Sequence, residues 1–221
     1  MSYVNFRSLS NISDIGWDLD GVITFYESPV NIINCNFTKN LKGTDYLNII
    51  RTDFNIKNTI FDDIHANAIC SGFSTGKIEN TIFKQIGNDA IKTVDSKLQI
   101  EGIKIMNSQS NAINGCQNSQ LIGENVIITG GKISILSKDN ASIKINGLTI
   151  DSSEVAYCAF QEKSGYGPAK IITTNATINN VNIEYLIENN SSLSFNGALI
   201  NKKSENIKER IYGTRNTKTT E

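Results

Sequence analysis

The sequence predicts an all-β fold: a right-handed parallel β-helix, a single-stranded solenoid of about eight to nine coils of ~22 residues, closed by a short C-terminal capping helix. Three observations predict it. The chain repeats itself internally; Asn, Ile, Ser and Thr are abundant while there are only 2 Pro and 1 Trp; and small polar columns alternate with aliphatic ones, as short strands joined by tight turns require.

The repeat is plainest in FNIKNTIF (54–61) and KIENTIF (77–83). Stepping from their last residues gives Phe37, Phe61, Phe83, Ile105, Ile127, Ile150, Ile178 and Ile200, at intervals of 24, 22, 22, 22, 23, 28 and 22 residues. Five residues before each stands Ile32, Ile56, Ile78, Ile100, Ile122, Ile145, Thr173 or Phe195, a second apolar column. Three residues before lies Asn34, Asn58, Asn80, Gly102, Glu124, Gly147, Asn175 or Gly197, a turn column, since Asn and Gly tolerate a left-handed backbone. Eight residues after come Leu47 (with a two-residue offset), Ile69, Ile91, Ile113, Ile135, Cys158 and Leu186, a second strand. Five further on, Thr52, Ser74, Ser96, Asn118, Asn140 and Ser191 form a second turn. Such a unit buries its apolar side only by stacking on copies of itself, each about 4.8 Å above the last, for a rod about 40 Å long.

The chain divides into a β-helix over 1–203, a capping helix over 204–213 and a polar tail over 214–221 that is expected to be disordered. The helix reads with Ser204 as N-cap, Ile207 and Ile211 on one face and Gly213 as its stop, covering the open lower end of the stack. An opening coil is expected to take YVNF and VITFY as strands, around an irregular stretch over 9–21. The 28-residue interval predicts a loop of about five extra residues within QEKSGYGP (161–168), and insertions in repeats often mark the binding face.

Charge and cysteine usage exclude some partners. Lys and Arg number 21 against 22 Asp and Glu, so no basic stripe exists for nucleic acid. No apolar run reaches the ~18 residues of a membrane span. The start, MSYVNFRSLSNISD, lacks the pattern of a signal peptide. The sequence therefore leaves the location open: cell surface or secreted if the chain is a fragment of a longer protein, otherwise cytoplasmic. Cys35, Cys70, Cys116 and Cys158 form no CxxC pair and are expected as free thiols packing as small hydrophobes, with no metal site.

The stretches GVITFYESPVNIINCNF, GTDYLNIIRTDFNIKNTIF, GNDAI, SKDNAS and AFQEKSGYGPAKI resemble the right-handed parallel β-helix proteins of the pectate-lyase-like superfamily. More narrowly, they are similar to the bacterial β-helix regions found downstream of a spore-coat-protein-H-like kinase domain in long surface or exopolysaccharide-linked proteins. The resemblance spans about residues 1–213 and implies the fold and a polysaccharide partner. It implies acidic clusters of the form DAFDxDFS and GNDGIDVSGS on one face. Here the matching stretches are NAICSGFS (67–74) and GNDAIKTVDS (87–96), so Asn67, Cys70, Gly72 and Lys92 stand where Asp is expected, and only Asp45, Asp89 and Asp95 keep acidity nearby.

Candidate substrate-binding residues follow from the coil register. Asp45, Asn67, Asp89 and Asn111 fall in one column, either a polar ladder able to hold sugar hydroxyls or a hydrogen-bonded turn ladder that only stabilises the stack. Glu162, Lys163 and Tyr166 in the protruding loop offer an aromatic face beside polar groups, unless Tyr166 packs back on its coil. For catalysis the least incomplete set is Asp89, Asp95 and Lys92. Glycoside hydrolysis needs two carboxylates at about 5–9.5 Å. Asp45 and Asp89 are two coils, about 10 Å, apart, too far to share the one Ca²⁺ that lyase chemistry would need; no cofactor is expected, with Ca²⁺ the one left open. His65 is the lone histidine and reads as a solvated turn residue; Lys138 and Asp139 read as an exposed pair. Three functions remain open: non-catalytic polysaccharide recognition or surface display, a divergent polysaccharide lyase, hydrolase or epimerase, and a structural stalk of a larger surface or phage assembly.

Overall fold

The computed structural model describes residues 1–213 except 12, 15 and 16, with no side chains described from 12 to 18; the expected tail over 214–221 lies outside the described residues. The chain forms an all-β parallel solenoid of eight coils, each with three walls. The first wall is built from Val30–Ile33, Asp53–Lys57 and Thr75–Glu79, the second from Asn5–Leu9, Asn36–Asn40, Ile60–Ile64 and Ile82–Ile86. In the later coils these two walls run together as single long strands, Lys97–Ser108, Gln120–Thr129, Ser142–Asp151 and Lys170–Asn179. The third wall is an eight-stranded parallel sheet from Gly21–Tyr26 down to Ile183–Ile187.

Like residues stack on like. Phe6, Phe37, Phe61 and Phe83 form a column of parallel rings with centroids 4.8, 4.7 and 5.1 Å apart, close to the spacing of paired strands. Ile105 continues that column below Phe83, followed by Ile128, Ile150 and Ile178. The expected Ile127 is one residue off: it points outward and is 42% exposed. Likewise Gly123, not Ile122, sits between Ile100 and Ile145, and Ile122 is 55% exposed. The cause is one residue added at the turn after Cys116, where Gln117 and Asn118 both take positive φ. It also moves Asn125 into the turn column in place of Glu124, and Ser119 and Ala141 into the second turn column in place of Asn118 and Asn140.

That second turn holds the coils together through hydroxyls. Ser74 N–H donates to Ser96 Oγ at 3.0 Å, Ser96 N–H to Ser119 Oγ at 3.3 Å and Ala169 N–H to Ser191 Oγ at 3.0 Å. The third-wall core column is Ile23, Leu47, Ile69, Ile91, Ile113, Ile135, Tyr157 and Tyr185, so Cys158 and Leu186 are again one step off and face outward. Ile200 leaves the stack: Ser192–Phe195 turns at Asn196 and Gly197, both at positive φ, into an antiparallel strand at Ala198–Leu199.

The C-terminal helix, α1, covers Ile207–Tyr212 and buries Ile207 and Ile211. Asn206, in a left-handed conformation, precedes it, so the expected Ser204 is not its N-cap. It covers the outside of the third wall: its two isoleucines pack with Ile133, Leu136, Val155, Cys158, Phe160 and Leu186. All four cysteines are free thiols.

Candidate functional site

Two outward rows of the third wall change character partway down the rod. The first runs Asp45, Asn67, Asp89, Asn111, then Ile133, Val155 and Ile183. The second runs Asn48, Cys70, Lys92, Asn114, then Leu136, Cys158 and Leu186. The apolar lower part lies under α1. The polar upper part stays open as a groove of about 520 Å³ lined by Asp45, Asn48, Asn67, Cys70, Phe73 and Lys92, with Asp20 and Asn88 at one side.

The structure brings Asp45, Asn67, Asp89, Asn111 and Lys92 together on this face and adds Asn114, its amide donating to Asp89 Oδ2 at 2.7 Å. Asn67 Nδ2 donates to Asp45 Oδ1 at 2.7 Å, the Asp89 N–H to Asn67 Oδ1 at 2.9 Å, and Asn111 gives Asp89 Oδ1 both its N–H, at 3.0 Å, and its Nδ2, at 2.7 Å. Both oxygens of Asp89, only 3% exposed, are thus engaged. This column is the bonded ladder that the sequence allowed. Asp95 lies apart, at the corner beyond the sheet, where it accepts from Asn118 Nδ2 at 2.8 Å.

Electrostatics keep the groove's nucleophiles quiet. Burial, with Asp45 adding to it, pushes the Cys70 thiol up to about 12, and burial pushes Cys116 up to about 11. Burial pulls the Lys92 ammonium down, but its neighbours Cys70, Cys116, Asp89 and Asp45 more than offset this, and its pKa is raised. Lys92 is half-buried and, among the described residues, its ammonium has no salt bridge. Burial also raises the pKa of Asp45, against the opposing bond from Asn67 and the charge of Lys92. Among the described residues no three His, Cys, Asp or Glu side chains gather as metal ligands.

The corners bordering this face differ from the corner opposite. Opposite, the left-handed positions are Asn34, Asn58, Asn80, Gly102, Asn125, Gly147 and Asn175, the residues that adopt it at least cost. The bordering corners also use Asp and Asn, as at Asp63, Asp95, Asn107 and Asn118, but in the upper coils they place Arg51 (φ 52°), Phe73 (φ 52°), Lys39 (φ 50°) and Gln85 (φ 50°) there, and a bulky residue in this region costs of order 1 kcal/mol or more. Phe73 lines the groove and is 59% exposed. The Arg51 guanidinium stands 5.9 Å from the ring centroid and also donates to the Tyr26 hydroxyl at 3.3 Å. Sequence reasoning missed Phe73, because a single aromatic in a turn carries no periodic signal.

The loop over 161–168 stands elsewhere, at the lower end beside α1. Asp139 Oδ1 accepts the N–H groups of Glu162 and Lys163, each at 2.7 Å, and Lys138 pairs with Glu162. Lys138 and Asp139 are therefore not an exposed pair; Asp139 is fully buried and pins the loop. Tyr166 is half-buried with Lys163 Nζ 5.9 Å over its ring, the same distance at which Arg51 stands over Phe73.

No protein-family model matches the chain, and no curated protein matches it. Among solved structures it is similar to the catalytic domain of a GH87 alpha-1,3-glucanase in complex with nigerose, at 12% identity and a TM-score of 0.38, over 86% of this chain and 53% of that one. It is also similar to a variant of a GH87 alpha-1,3-glucanase catalytic domain in complex with tetrasaccharides, at 13% identity and a TM-score of 0.34, over 86% and 54%. The chain spans about half the length of both.

Proposed function

We propose that this chain is a non-catalytic β-helix module for polysaccharide recognition or display, with the upper third wall as its binding surface. One observation carries the reading: Phe73 is kept exposed, in a backbone conformation costly for it, over a groove floored by amides and by the Lys92 ammonium, which makes no salt bridge among the described residues. An aromatic face beside hydroxyl-binding groups is what a sugar ring needs, its C–H face against the ring and its hydroxyls on the polar floor. The membership in the pectate-lyase-like superfamily, and in the group found beside spore-coat-protein-H-like kinase domains, belongs to this proposal.

Binding is favoured over cleavage by the state of the candidate acid–base groups. A hydrolase needs two free carboxylates facing one bond, whereas both oxygens of Asp89 are bonded and Asp95 sits at a corner. A lysine base must be neutral, whereas Lys92 is held as an ammonium. A glycan array tests the proposal: a bound saccharide should lose about tenfold in affinity, about 1.4 kcal/mol, in Phe73→Ala and in Lys92→Ala. Release of unsaturated or reducing sugar ends would establish an enzyme instead, and trimers that bind no glycan would establish a stalk.

A further inference from the structure

We propose that the corner between the second and third walls is a second, separate glycan site, taking an extended, uncharged oligosaccharide along the rod axis. A groove of about 700 Å³ runs there from Lys39 to Gly131, across five successive coils, or about 19 Å at the strand spacing. Its floor is bare backbone: a Cβ on Gly87 would stand 2.3 Å from the His65 carbonyl oxygen, and one on Gly131 2.4 Å from that of Ser108. Only glycine lets the coils pass so closely, and the absent side chains open the channel.

Its rim offers unused hydrogen-bonding groups at coil spacing. Gln85, Asn107 and Gln109 are exposed, and among the described residues none of their side-chain amides bonds to protein. This differs from Asn118, Asn140 and Asn180, whose amides bond their neighbours one coil away. Gln85 holds its place at a φ of 50°, where Asn or Gly would be cheaper. At the upper end Leu41, 63% exposed, projects from the two residues added to its coil, an apolar surface for a sugar's C–H face.

Charge and spacing select the ligand. The groove's cation and anion, Lys39 and Asp63, lie 3.5 Å apart and neutralise each other, so the groove favours an uncharged chain. The coil step of about 4.8 Å is close to one pyranose of an extended glycan, whereas an extended peptide advances about 3.3 Å per residue and falls out of step.

The test uses the full chain on an array of neutral linear hexasaccharides and hexapeptides. At least one hexasaccharide should bind Phe73→Ala as it binds the native protein, and bind a Gln85→Ala, Asn107→Ala double variant about tenfold more weakly. Both substitutions are at exposed sites, and an unchanged melting temperature shows that the variant is folded. The single histidine supplies a second readout, because the His65 imidazole resonance should shift when that sugar is added. Two results overturn the proposal: no hexasaccharide depends on Gln85 and Asn107, or His65 responds to hexapeptides and to no sugar. Phe73→Ala tests the third-wall site and the double variant tests this one, so either can fail alone.

Discussion

Asn114 reaches across one coil to donate its amide to Asp89 Oδ2 at 2.7 Å, while Asn111 occupies Oδ1. A carboxylate held this way is part of the scaffold. Asp89→Asn replaces an acceptor oxygen with a donor that faces another donor, at a site 3% exposed. It should cost about 1–3 kcal/mol in chemical denaturation, with glycan affinity of the folded protein unchanged. A variant of native stability that no longer binds sugar would instead make Asp89 a direct ligand.

Asp45 predicts the opposite effect. Its pKa is raised above 3.8, chiefly by burial, so the fold favours the protonated form. The stability this contributes is present below pH 3.8 and is lost as pH rises through the folded-state value. At neutral pH the ionised group is a burden. Asp45→Asn keeps an acceptor for Asn67 without the charge, so it should raise the melting temperature at pH 7, and the gain should shrink as the pH is lowered toward 4. An equal gain at both pH values would exclude the charge as its cause.

Phe73 separates stability from binding. The residue is 59% exposed and its backbone is left-handed, so Phe73→Asn loses little burial and gains a residue suited to that conformation. Stability should stay within about 0.5 kcal/mol or rise, while glycan binding weakens. A large loss of stability would mean that the ring packs against the coils.

The helix α1 is a cover for an apolar face, and Cys158 beneath it is fully buried. Ile207→Asp puts a charge into that contact, so a thiol reagent should modify Cys158 about tenfold faster or more, through local opening. An unchanged rate would show that other contacts hold the helix down.

The fold was legible in this chain because stacking repeats the same demand every coil. The core columns slipped by one residue where apolar residues stand side by side, whereas Ile200 left the stack at a hairpin. Ile127 and Ile128 are equivalent by hydrophobicity, and so are Tyr157 and Cys158; only the residue added after Cys116 and the position of α1 decide which one faces in. A strand covered on both sides has no alternation to read. The shared face of Asp45, Asn67, Asp89 and Asn111 was legible for the same reason as the core, since polar residues stack in register too. The corner groove and Phe73 were not, because they depend on how each corner turns its side chains outward.

The most direct measurement is a crystal structure of the protein with a saccharide that it binds. The account predicts a sugar ring against Phe73 and a hydroxyl within about 3 Å of Lys92 Nζ. A saccharide seated only at the 161–168 loop, with Phe73 and Lys92 untouched, would contradict it.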